Sequence, residues 1–418
     1  MMKALRSIGV ALALVGWVFA STGCNHISSP RVTAAISAPP PPLILISLDG
    51  FRADYMQRGL SPNLQALADG GATAPDGMRP SFPSITFPNH YTLVTGKVPD
   101  HTGIIANTMW DETKPDVTFK MSNEAAVTDG FWWNGAVPMW VSAEKAGKKV
   151  GVEYWPGSEA PIRGVRPSYY SKFDHEVTDD ARVAQLVAWM DLPADQRPSV
   201  YLLYFNVVDS AGHDFGPVSP EVNASIADVD EAIGRLQAAL KARGVTPNIV
   251  VVADHGMSAI STDRAYFLED YIPADSYRAI VTGPEAMINA APGHEADLDR
   301  LTRMTFPHMK CWRKAKIPMR FKFGKNPRVP EVMCLGDPGW LVDDTHAKGI
   351  GYKGGAHGYD NYASDMAALF IANGPSIKAG VKLKTFDNVD VYNLEMKLLG
   401  LAPEPGDGRL GPIKPALK

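Results

Sequence analysis

The chain has no marked excess of charge of either sign. Its formal net charge is −4, from 41 basic and 45 acidic side chains in 418 residues. Proteins that bind the nucleic-acid backbone concentrate Lys and Arg, so this balance argues against a broad nucleic-acid-binding surface. No internal repeat is apparent, which argues against a solenoid or a propeller.

The apolar run near the N-terminus is too short to span a bilayer. It extends from Ile8 to Ala20, with Lys3 and Arg6 before it and small residues after it. This is the pattern of a signal peptide, so we predict an exported protein with its signal in residues 1–24. A buried N-terminal helix is the alternative.

Cys24 directly follows that run. The segment Ser21-Thr22-Gly23-Cys24 resembles a bacterial lipobox, although Ser21 stands where Leu is usual. In such a segment the cysteine is acylated, which would give a lipid anchor at Cys24. Ordinary cleavage after Ala20 is the alternative. We expect either a periplasmic protein or a membrane-anchored lipoprotein.

Cysteine is otherwise scarce. Only Cys311 and Cys334 remain after Cys24. In an oxidising compartment two remaining cysteines often pair, so we predict a disulfide between them. Two buried free thiols are the alternative.

The pattern of the remaining chain favours a large α/β domain. Residues 25–42 are rich in Ser, Ala and Pro and suit a linker. Three continuous apolar runs then fit buried parallel strands, and helical periodicity lies between them. The runs are Leu43 to Leu48, Val200 to Val208 and Asn248 to Ala253, and the helices are Asp180 to Met190 and Pro220 to Ala242. Alternating strands and helices predict a central, mostly parallel sheet flanked by helices.

One segment breaks this alternation. Residues from about 262 to 345 hold many prolines and both late cysteines. We therefore predict an inserted smaller subdomain there, inside a catalytic domain of residues 43–405. Residues 406–418 are expected to form a C-terminal tail.

Acidic and histidine residues follow each of the three predicted strands. In open parallel sheets, ligands gather beyond the carboxyl ends of the strands. Singly, such an Asp is a turn former and such a His a structural residue. Together, three aspartates and three histidines suffice for two Zn²⁺ ions with three protein ligands each. The candidates are Asp49, Asp209, His213, Asp254, His255 and His357.

Thr86 is the candidate nucleophile. It lies in a proline-rich loop before a predicted helix, His90 to Val94, with Pro88 suited to the first helical position. The positive end of a helix and a nearby cation would both favour an alkoxide. The alternative is that Thr86 only caps the helix.

The ordered motifs of the chain resemble those of the nucleotide pyrophosphatase/phosphodiesterases of the alkaline phosphatase superfamily. We interpret the chain as a bacterial member of that family. The resemblance extends from residue 43 to about 405 and rests on seven segments: Ile46 to Arg52, Thr86 to Tyr91, His101 to Asn107, Tyr154 to Ser158, Asp209 to His213, Ala253 to Met257 and Gly355 to Gly358.

The resemblance implies a role for each candidate residue. Asp209, His213 and His357 match the ligands of one zinc, and the other set is Asp49, Asp254 and His255. Thr86 matches a nucleophile that forms a phospho-threonine intermediate. Asn107 matches a residue that binds a phosphate oxygen, together with the Phe87 backbone N–H. The resemblance also implies an alkaline phosphatase-like fold.

The resemblance further implies a nucleotide substrate. Phe87 and Phe173 would clamp the base, with Tyr204 nearby and Trp155 shaping the pocket, although Phe173 could instead belong to the core. Two Zn²⁺ and three aspartates leave a charge of about +1, which suits a diester. The expected product is a nucleoside 5′-monophosphate. The alternatives are a choline-phospholipid phosphodiesterase, a phosphomonoesterase or a binding protein without turnover, and no protein partner is inferred.

Overall fold

The computed structural model describes residues 40–347 and 351–418. The predicted signal peptide, the lipid anchor at Cys24 and residues 25–39 of the predicted linker lie outside the described residues. Within the described part of the chain, no helix is long and apolar enough to cross a membrane.

Three buried strands form the centre of the main sheet. Every residue of β1 (Leu43–Leu48), β7 (Val200–Phe205) and β8 (Asn248–Val252) is buried. β1 lies between the other two and pairs in parallel with both, with Leu43 opposite Val200 and Asn248. Continuous apolar runs are required here because helices cover both faces of a parallel sheet.

The whole sheet has eight strands in the order β18-β2-β17-β8-β1-β7-β5-β6, and β17 runs antiparallel to its neighbours β8 and β2. The predicted α/β class, with a mostly parallel central sheet flanked by helices, is therefore confirmed. The remaining strands are β2 Ala72–Thr73, β3 Thr108–Trp110, β4 Thr118–Lys120, β5 Val150–Glu153, β6 Tyr169–Ser171, β9 Ser258–Ala259, β10 Ala265–Phe267, β11 Tyr277–Val281, β12 Glu285–Ala290, β13 Met309–Arg313, β14 Val332–Gly336, β15 Leu341–Asp343, β16 Gly355–Ala356, β17 Phe370–Asn373 and β18 Val381–Lys382.

The two longest helices follow the predicted periodicity. They begin after Thr178 and Ser219, whose side chains accept hydrogen bonds from Ala181 and Val222 in the first turns. Such caps satisfy backbone N–H groups that have no partner within the helix. The α-helices are α1 Pro62–Asp69, α2 Thr86–Thr95, α3 Pro99–Thr102, α4 Glu124–Val127, α5 Gly130–Trp133, α6 Met139–Lys145, α7 Asp179–Met190, α8 Val207–Phe215, α9 Pro220–Ala242, α10 Glu295–Arg303 and α11 Val391–Leu399.

Two predicted boundaries were wrong. The second strand ends at Phe205, and the residues expected to extend it open helix α8 instead. Helix α2 begins at Thr86, so Pro88 is its third residue rather than its first. Proline is tolerated there because N–H groups of the first turn have no acceptor within the helix.

A second, antiparallel sheet lies within the segment predicted to be an insertion. Its four strands have the order β11-β12-β14-β13 and share a separate hydrophobic core with α10. Cys311 on β13 is directly opposite Cys334 on β14, and the two form a disulfide, as predicted. The boundaries 262 and 345 stay a prediction.

The predicted C-terminal tail packs against the rest of the domain. Ile413 and Ala416 are buried, and the Lys418 N–H donates to the Ser376 carbonyl at 3.0 Å. The boundary at residue 405 stays a prediction.

Candidate metal centre and active site

The six candidate ligands converge at the carboxyl edge of the central sheet. Asp49 directly follows β1, and Asp254 and His255 follow β8. Asp209 and His213 lie one turn apart on α8, which leaves the end of β7. His357 follows the short strand β16, which pairs with β9 just beyond His255.

One cluster consists of Asp49, Asp254 and His255, all fully buried. The Nε2 atom of His255 lies 2.9 Å from Asp254 Oδ2 and 3.4 Å from Asp49 Oδ1. These three side chains place their potential ligand atoms within 4.8 Å of one another. Such a set could hold one cation.

The second cluster consists of Asp209, His213 and His357. His213 Nε2 is 3.5 Å from Asp209 Oδ2 and 3.1 Å from His357 Nε2, and His357 Nε2 is 3.6 Å from Asp209 Oδ1. The clusters adjoin, since the rings of His255 and His357 stack with their centroids 3.5 Å apart. The structure thus brings together both predicted ligand sets.

Each of the three imidazoles is oriented by a backbone carbonyl. The Nδ1 atoms of His213, His255 and His357 lie 2.9, 2.9 and 3.1 Å from the carbonyl oxygens of Gly355, Gly256 and Ser84. A carbonyl only accepts, so Nδ1 must carry the proton. In the neutral form of each ring, Nε2 then presents its lone pair to the cluster, as a metal ligand must.

The carboxylates also have properties that suit metal ligands. Asp49 Oδ1, Asp209 Oδ1 and Asp254 Oδ2 are buried without a hydrogen-bond partner among the described residues. Burial and the neighbouring aspartates raise the pKa of Asp49 well above its usual value. Burial also raises the pKa of Asp209. Buried oxygens of this kind are costly unless a cation pairs with them, so the residues fit a pair of divalent metals.

The histidine ligand His357 is held in its neutral form. Burial, together with His255 and His213, holds its pKa well below the usual value. Burial opposes ionisation of Asp254, but His255 and His90 beside it hold the pKa of Asp254 well below the usual value. A neutral imidazole and an ionised carboxylate are the forms that bind metals.

Two further side chains support the ligands. The Tyr204 hydroxyl donates to Asp49 Oδ2 at 2.6 Å, and burial keeps the pKa of Tyr204 far above neutrality. His90 Nδ1 lies 3.3 Å from Asp254 Oδ2, while its Nε2 is 2.8 Å from Ser47 Oγ. The sequence predicted Tyr204 only as a residue of the substrate pocket. Its hydrogen bond to the candidate ligand Asp49 was not foreseen.

Thr86 lies between the N-terminus of α2 and the first cluster. Ile85 occupies the cap position, and no side chain there caps the helix. The Thr86 Oγ1 atom instead lies 3.3 Å from His255 Nε2. The hydroxyl therefore faces the candidate ligands, which the capping alternative does not explain.

Asn107 and the Phe87 N–H lie together next to Thr86. The Phe87 N–H donates to Asn107 Oδ1 at 2.9 Å. These are the two groups predicted to bind a phosphate oxygen, and here they bind each other.

A cavity of about 250 Å³ opens beside Thr86 and is mainly apolar. Phe173 is 49% exposed on its wall, so it is not a core residue, and the Trp155 indole donates to the His90 carbonyl at 3.1 Å. We call this space the aromatic cavity; the predicted residues Phe87, Trp155, Phe173 and Tyr204 line it.

Met121 and Tyr154 are among the residues of this cavity that sequence reasoning missed. Met121 is 50% exposed, and the Tyr154 ring meets Phe173 edge to face at 5.5 Å. Tyr154 lies in a segment already singled out for its motif, so it could have been found. Met121 lies more than 30 positions from Tyr154 in a segment without a motif, and nothing local points to it.

The fold and the site define an α/β protein with a candidate two-metal centre beside a candidate hydroxyl nucleophile. Residues 43–360 match the family model described as type I phosphodiesterase / nucleotide pyrophosphatase. The chain belongs to this family, which is a family of phosphodiesterase and nucleotide pyrophosphatase hydrolases.

Curated relatives support the same assignment. Ectonucleotide pyrophosphatase/phosphodiesterase family member 3 of Rattus norvegicus is 37% identical over 417 residues, covering 97% of this chain and 46% of the relative. A pyrophosphatase/phosphodiesterase of Schizosaccharomyces pombe is 37% identical over 385 residues. The match covers 88% of this chain and 78% of the relative. The chain spans about half the length of the mammalian relatives. These relatives are eukaryotic, and the bacterial assignment stays a prediction.

A solved structure of a relative supports the same family assignment. Murine ectonucleotide pyrophosphatase / phosphodiesterase 5, an inactive variant in complex with AMP, superposes with a TM-score of 0.85 and 30% identity. The match covers 90% of this chain and 100% of the murine one.

Proposed function

We propose that this protein cleaves phosphodiester or pyrophosphate bonds of nucleotides and releases nucleoside 5′-monophosphates, using two Zn²⁺ ions and Thr86 as the nucleophile. The observation that carries the proposal is the position of the Thr86 hydroxyl, 3.3 Å from Nε2 of His255, which belongs to the cluster of Asp49, Asp254 and His255. Family membership supports the reaction class.

Asp49, Asp254 and His255 would hold one ion, and Asp209, His213 and His357 the other. The donor set of carboxylate and imidazole suits zinc. When bound, the metals would balance the three buried carboxylates, acidify the Thr86 hydroxyl and withdraw charge from the phosphate.

The remaining chemistry belongs to the chain itself. Thr86 Oγ1 attacks phosphorus, the new P–O bond forms, and the leaving oxygen departs with the electron pair of the broken bond. The N-terminus of α2 favours the negative charge on Oγ1. The Phe87 N–H, which directly follows Thr86, and Asn107, which accepts its hydrogen bond, would turn from each other to a phosphate oxygen. Water then cleaves the phospho-threonine, which restores Thr86 and releases the monophosphate.

The aromatic cavity would hold the nucleoside. Phe87 and Phe173 offer ring faces on which any base can stack, so we expect little discrimination between bases. A murine relative solved with AMP supports a nucleotide as the substrate. Choline phospholipids and phosphomonoesters are the alternative substrates.

The test is a comparison of three substrates: a nucleotide p-nitrophenyl diester, a phosphomonoester and a phosphocholine ester. We expect diester turnover to dominate, to vanish with a chelator and to return with Zn²⁺. Thr86→Ala should lower kcat by several orders of magnitude, because a covalent nucleophile is lost. The matched control is Thr92→Ala, since Thr92 is a buried threonine of the same helix.

Two results would refute the proposal. One is undiminished diester turnover in Thr86→Ala. The other is fewer than two metals per fully active chain by elemental analysis.

We also propose that the protein is exported, either to the periplasm or to a membrane through a lipid at Cys24, with residues 43–405 as the catalytic domain. Two of its relatives are named as ectonucleotide enzymes. Mass spectrometry of the mature N-terminus tests this: an acylated Cys24 supports the anchor, and an unmodified residue 21 supports ordinary cleavage.

A further inference from the structure

Asn107, one of the two groups proposed to bind a phosphate oxygen, lies in the short loop that joins α3 to β3. The residues just before it, 104–106, are fully buried and apolar. Apolar burial is non-directional, so it keeps these residues in the core without fixing where the amide of Asn107 lies. Directional contacts are found at the two ends of this stretch. We call residues 103–111 the Asn107 segment.

Arg328 contacts both ends of the Asn107 segment. Its Nη1 donates to the Gly103 carbonyl at 2.8 Å, and its Nε donates to Asp111 Oδ2 at 2.7 Å. Both side chains of this ion pair are mostly buried. Burial opposes ionisation of Asp111, but hydrogen bonds from Arg328 and Thr113 hold the pKa of Asp111 below its usual value. The carboxylate is therefore charged at neutral pH, and the pair is complete.

The guanidinium of Arg328 is also held from its other sides. Nη1 donates to the Trp132 carbonyl at 2.9 Å as well. The guanidinium carbon lies 4.9 Å from the centre of the Trp132 ring and 5.2 Å from that of Phe131. A planar fork of donors can satisfy two carbonyls and a carboxylate at once, which a flexible ammonium group does not reproduce.

Arg328 reaches the Asn107 segment from the antiparallel sheet. It lies in residues 314–331, which connect β13 to β14 and which we call the β13–β14 loop. Phe321 and Val329 of this loop, on either side of Arg328, are buried in the main hydrophobic core. The buried carboxylate of Asp100 in α3 accepts hydrogen bonds of 2.8 to 3.0 Å from three consecutive backbone N–H groups of the loop, those of Gly324, Lys325 and Asn326. The loop is thus a fixed support for Arg328.

The position of Asn107 matters because of what it faces. Its Oδ1 accepts from the Phe87 N–H at 2.9 Å, and Phe87 directly follows Thr86. A donor to a transition-state oxygen is effective only when it is in place before the reaction, because reorganisation then costs nothing. Asn107 lies midway between the two residues that Arg328 holds.

We propose that Arg328 is a positioning residue of the reaction: it ties both ends of the Asn107 segment to the antiparallel sheet and so holds the Asn107 amide beside the Phe87 N–H. None of the six candidate metal ligands comes from that sheet, so this support is its contribution to the active site. The inference rests on the proposed function, which assigns Asn107 to the phosphate.

The test is a double-mutant cycle between Arg328 and Asn107, with kcat for a nucleotide p-nitrophenyl diester as the readout. Asn107→Ala should lower kcat about 100-fold or more, the usual effect of losing one donor to a transition-state oxygen. Arg328→Ala should lower kcat about tenfold or more and leave KM within about twofold, because Asn107 acts mainly in the transition state. In the Asn107→Ala background, Arg328→Ala should lower kcat less than about threefold, since the group that it positions is gone.

Two further variants separate positioning from general destabilisation. Arg313→Ala breaks ion pairs to Asp299 and Glu331, away from the Asn107 segment, and should leave kcat unchanged. Asp111→Asn keeps the shape of the Arg328 partner and removes its charge. It should give a smaller loss of kcat that also disappears in the Asn107→Ala background, and it serves as the test if Arg328→Ala does not fold.

Hydrogen exchange gives a readout that needs no turnover. Arg328→Ala should accelerate exchange of the backbone amides of residues 104–109 and leave those of β1 as in the unmodified protein. Unchanged exchange in these residues overturns the inference. So does an equal factor in kcat for Arg328→Ala in both backgrounds, or an unchanged kcat in Asn107→Ala. Absence of diester turnover in the unmodified protein counts against the proposed function instead, and hydrogen exchange then still decides whether Arg328 holds the segment.

Discussion

At the scale of single residues, the candidate site depends on which atom of each side chain is already engaged. Three backbone carbonyls bind Nδ1 of the histidine ligands. This leaves Nε2 of each ring for a metal and restrains the ring orientation before any metal arrives. The same logic applies to Asp49, whose Oδ2 accepts from Tyr204 while its Oδ1 has no hydrogen-bond partner in the described chain.

The variant Tyr204→Phe tests whether the Tyr204 hydroxyl helps Asp49 to bind a metal. The variant removes the hydroxyl that orients Asp49, so we expect metal affinity to fall by about 10- to 100-fold. Competition with a chromophoric chelator measures the change. Tyr201→Phe is the matched control, because the Tyr201 hydroxyl on the same strand donates to the Pro198 carbonyl at 2.7 Å instead. Equal losses of metal affinity in both variants would contradict the assigned role.

At the scale of secondary-structure elements, loops and short strands divide the space around the reacting centre. β4 shows this most directly: Phe119 is buried, while Lys120 and the following Met121 are exposed. Lys120 lines a recess that also contacts His213 and His357, and Met121 lines the aromatic cavity. One short hairpin thus contributes to both recesses.

The segment after β6 contributes Phe173, the proposed base-stacking residue, to the aromatic cavity. Phe173→Ala should raise KM for a nucleotide p-nitrophenyl diester about tenfold, because one stacking face is lost. A simple aryl diester, which has no base, should keep its KM. Tyr170→Ala is the control, since Tyr170 is 39% exposed on β6 but does not line the cavity. If the two substrates respond equally to Phe173→Ala, the base does not stack there.

Asp390, the residue directly before helix α11, has a carboxyl that affects stability. Burial raises the pKa of Asp390 from 3.8 to about 6, although Asp390 Oδ1 accepts the Arg409 N–H at 2.8 Å. Between about pH 4 and pH 6 the folded state binds the proton more tightly, so stability falls as pH rises through this window. Above it the cost of the buried charge is fully present.

Asp390→Asn keeps the acceptor and removes the charge. We expect its free energy of unfolding to exceed that of the unmodified protein by on the order of 1 kcal/mol at pH 7.5, with the difference vanishing near pH 4. Urea unfolding at several pH values measures this. Asp76→Asn, at an exposed position, should show no such trend. A gain for Asp390→Asn that is equal at both ends of the pH range would show that the charge is not the cause.

At the scale of the whole molecule, the antiparallel sheet is a unit with its own core and its own cross-link. The disulfide joins residues 23 positions apart, and such a loop closure stabilises by about 3 kcal/mol. Cys311→Ala with Cys334→Ala should therefore accelerate hydrogen exchange of amides in β11 to β14. The amides of β1, β7 and β8 are the internal control and should exchange as before. Acceleration in the central sheet as well would mean that the two sheets unfold together.

This sheet also explains why the recess lined by Lys120, Arg278 and Glu285 was not foreseen from the sequence. Arg278 and Glu285 come from the antiparallel sheet, whereas Lys120 comes from a hairpin about 160 positions earlier, by the printed numbering. Nothing in the local pattern of either segment indicates that they face each other. Only the packing of the subdomain beside the candidate metal centre brings them together.

The sequence by itself determined the fold class and the candidates for the ligand set and the nucleophile. These depend on local chemistry: apolar runs that must be buried, acidic residues and histidines that follow them, and short motifs that hold Thr86 and His357. The tertiary structure decided the exact strand and helix ends near Phe205 and Thr86, the hydrogen bond from Tyr204 to Asp49, and the residues that line the two recesses. Those features arise from contacts between segments far apart in the chain, and a one-dimensional pattern carries no information about which distant side chains will meet.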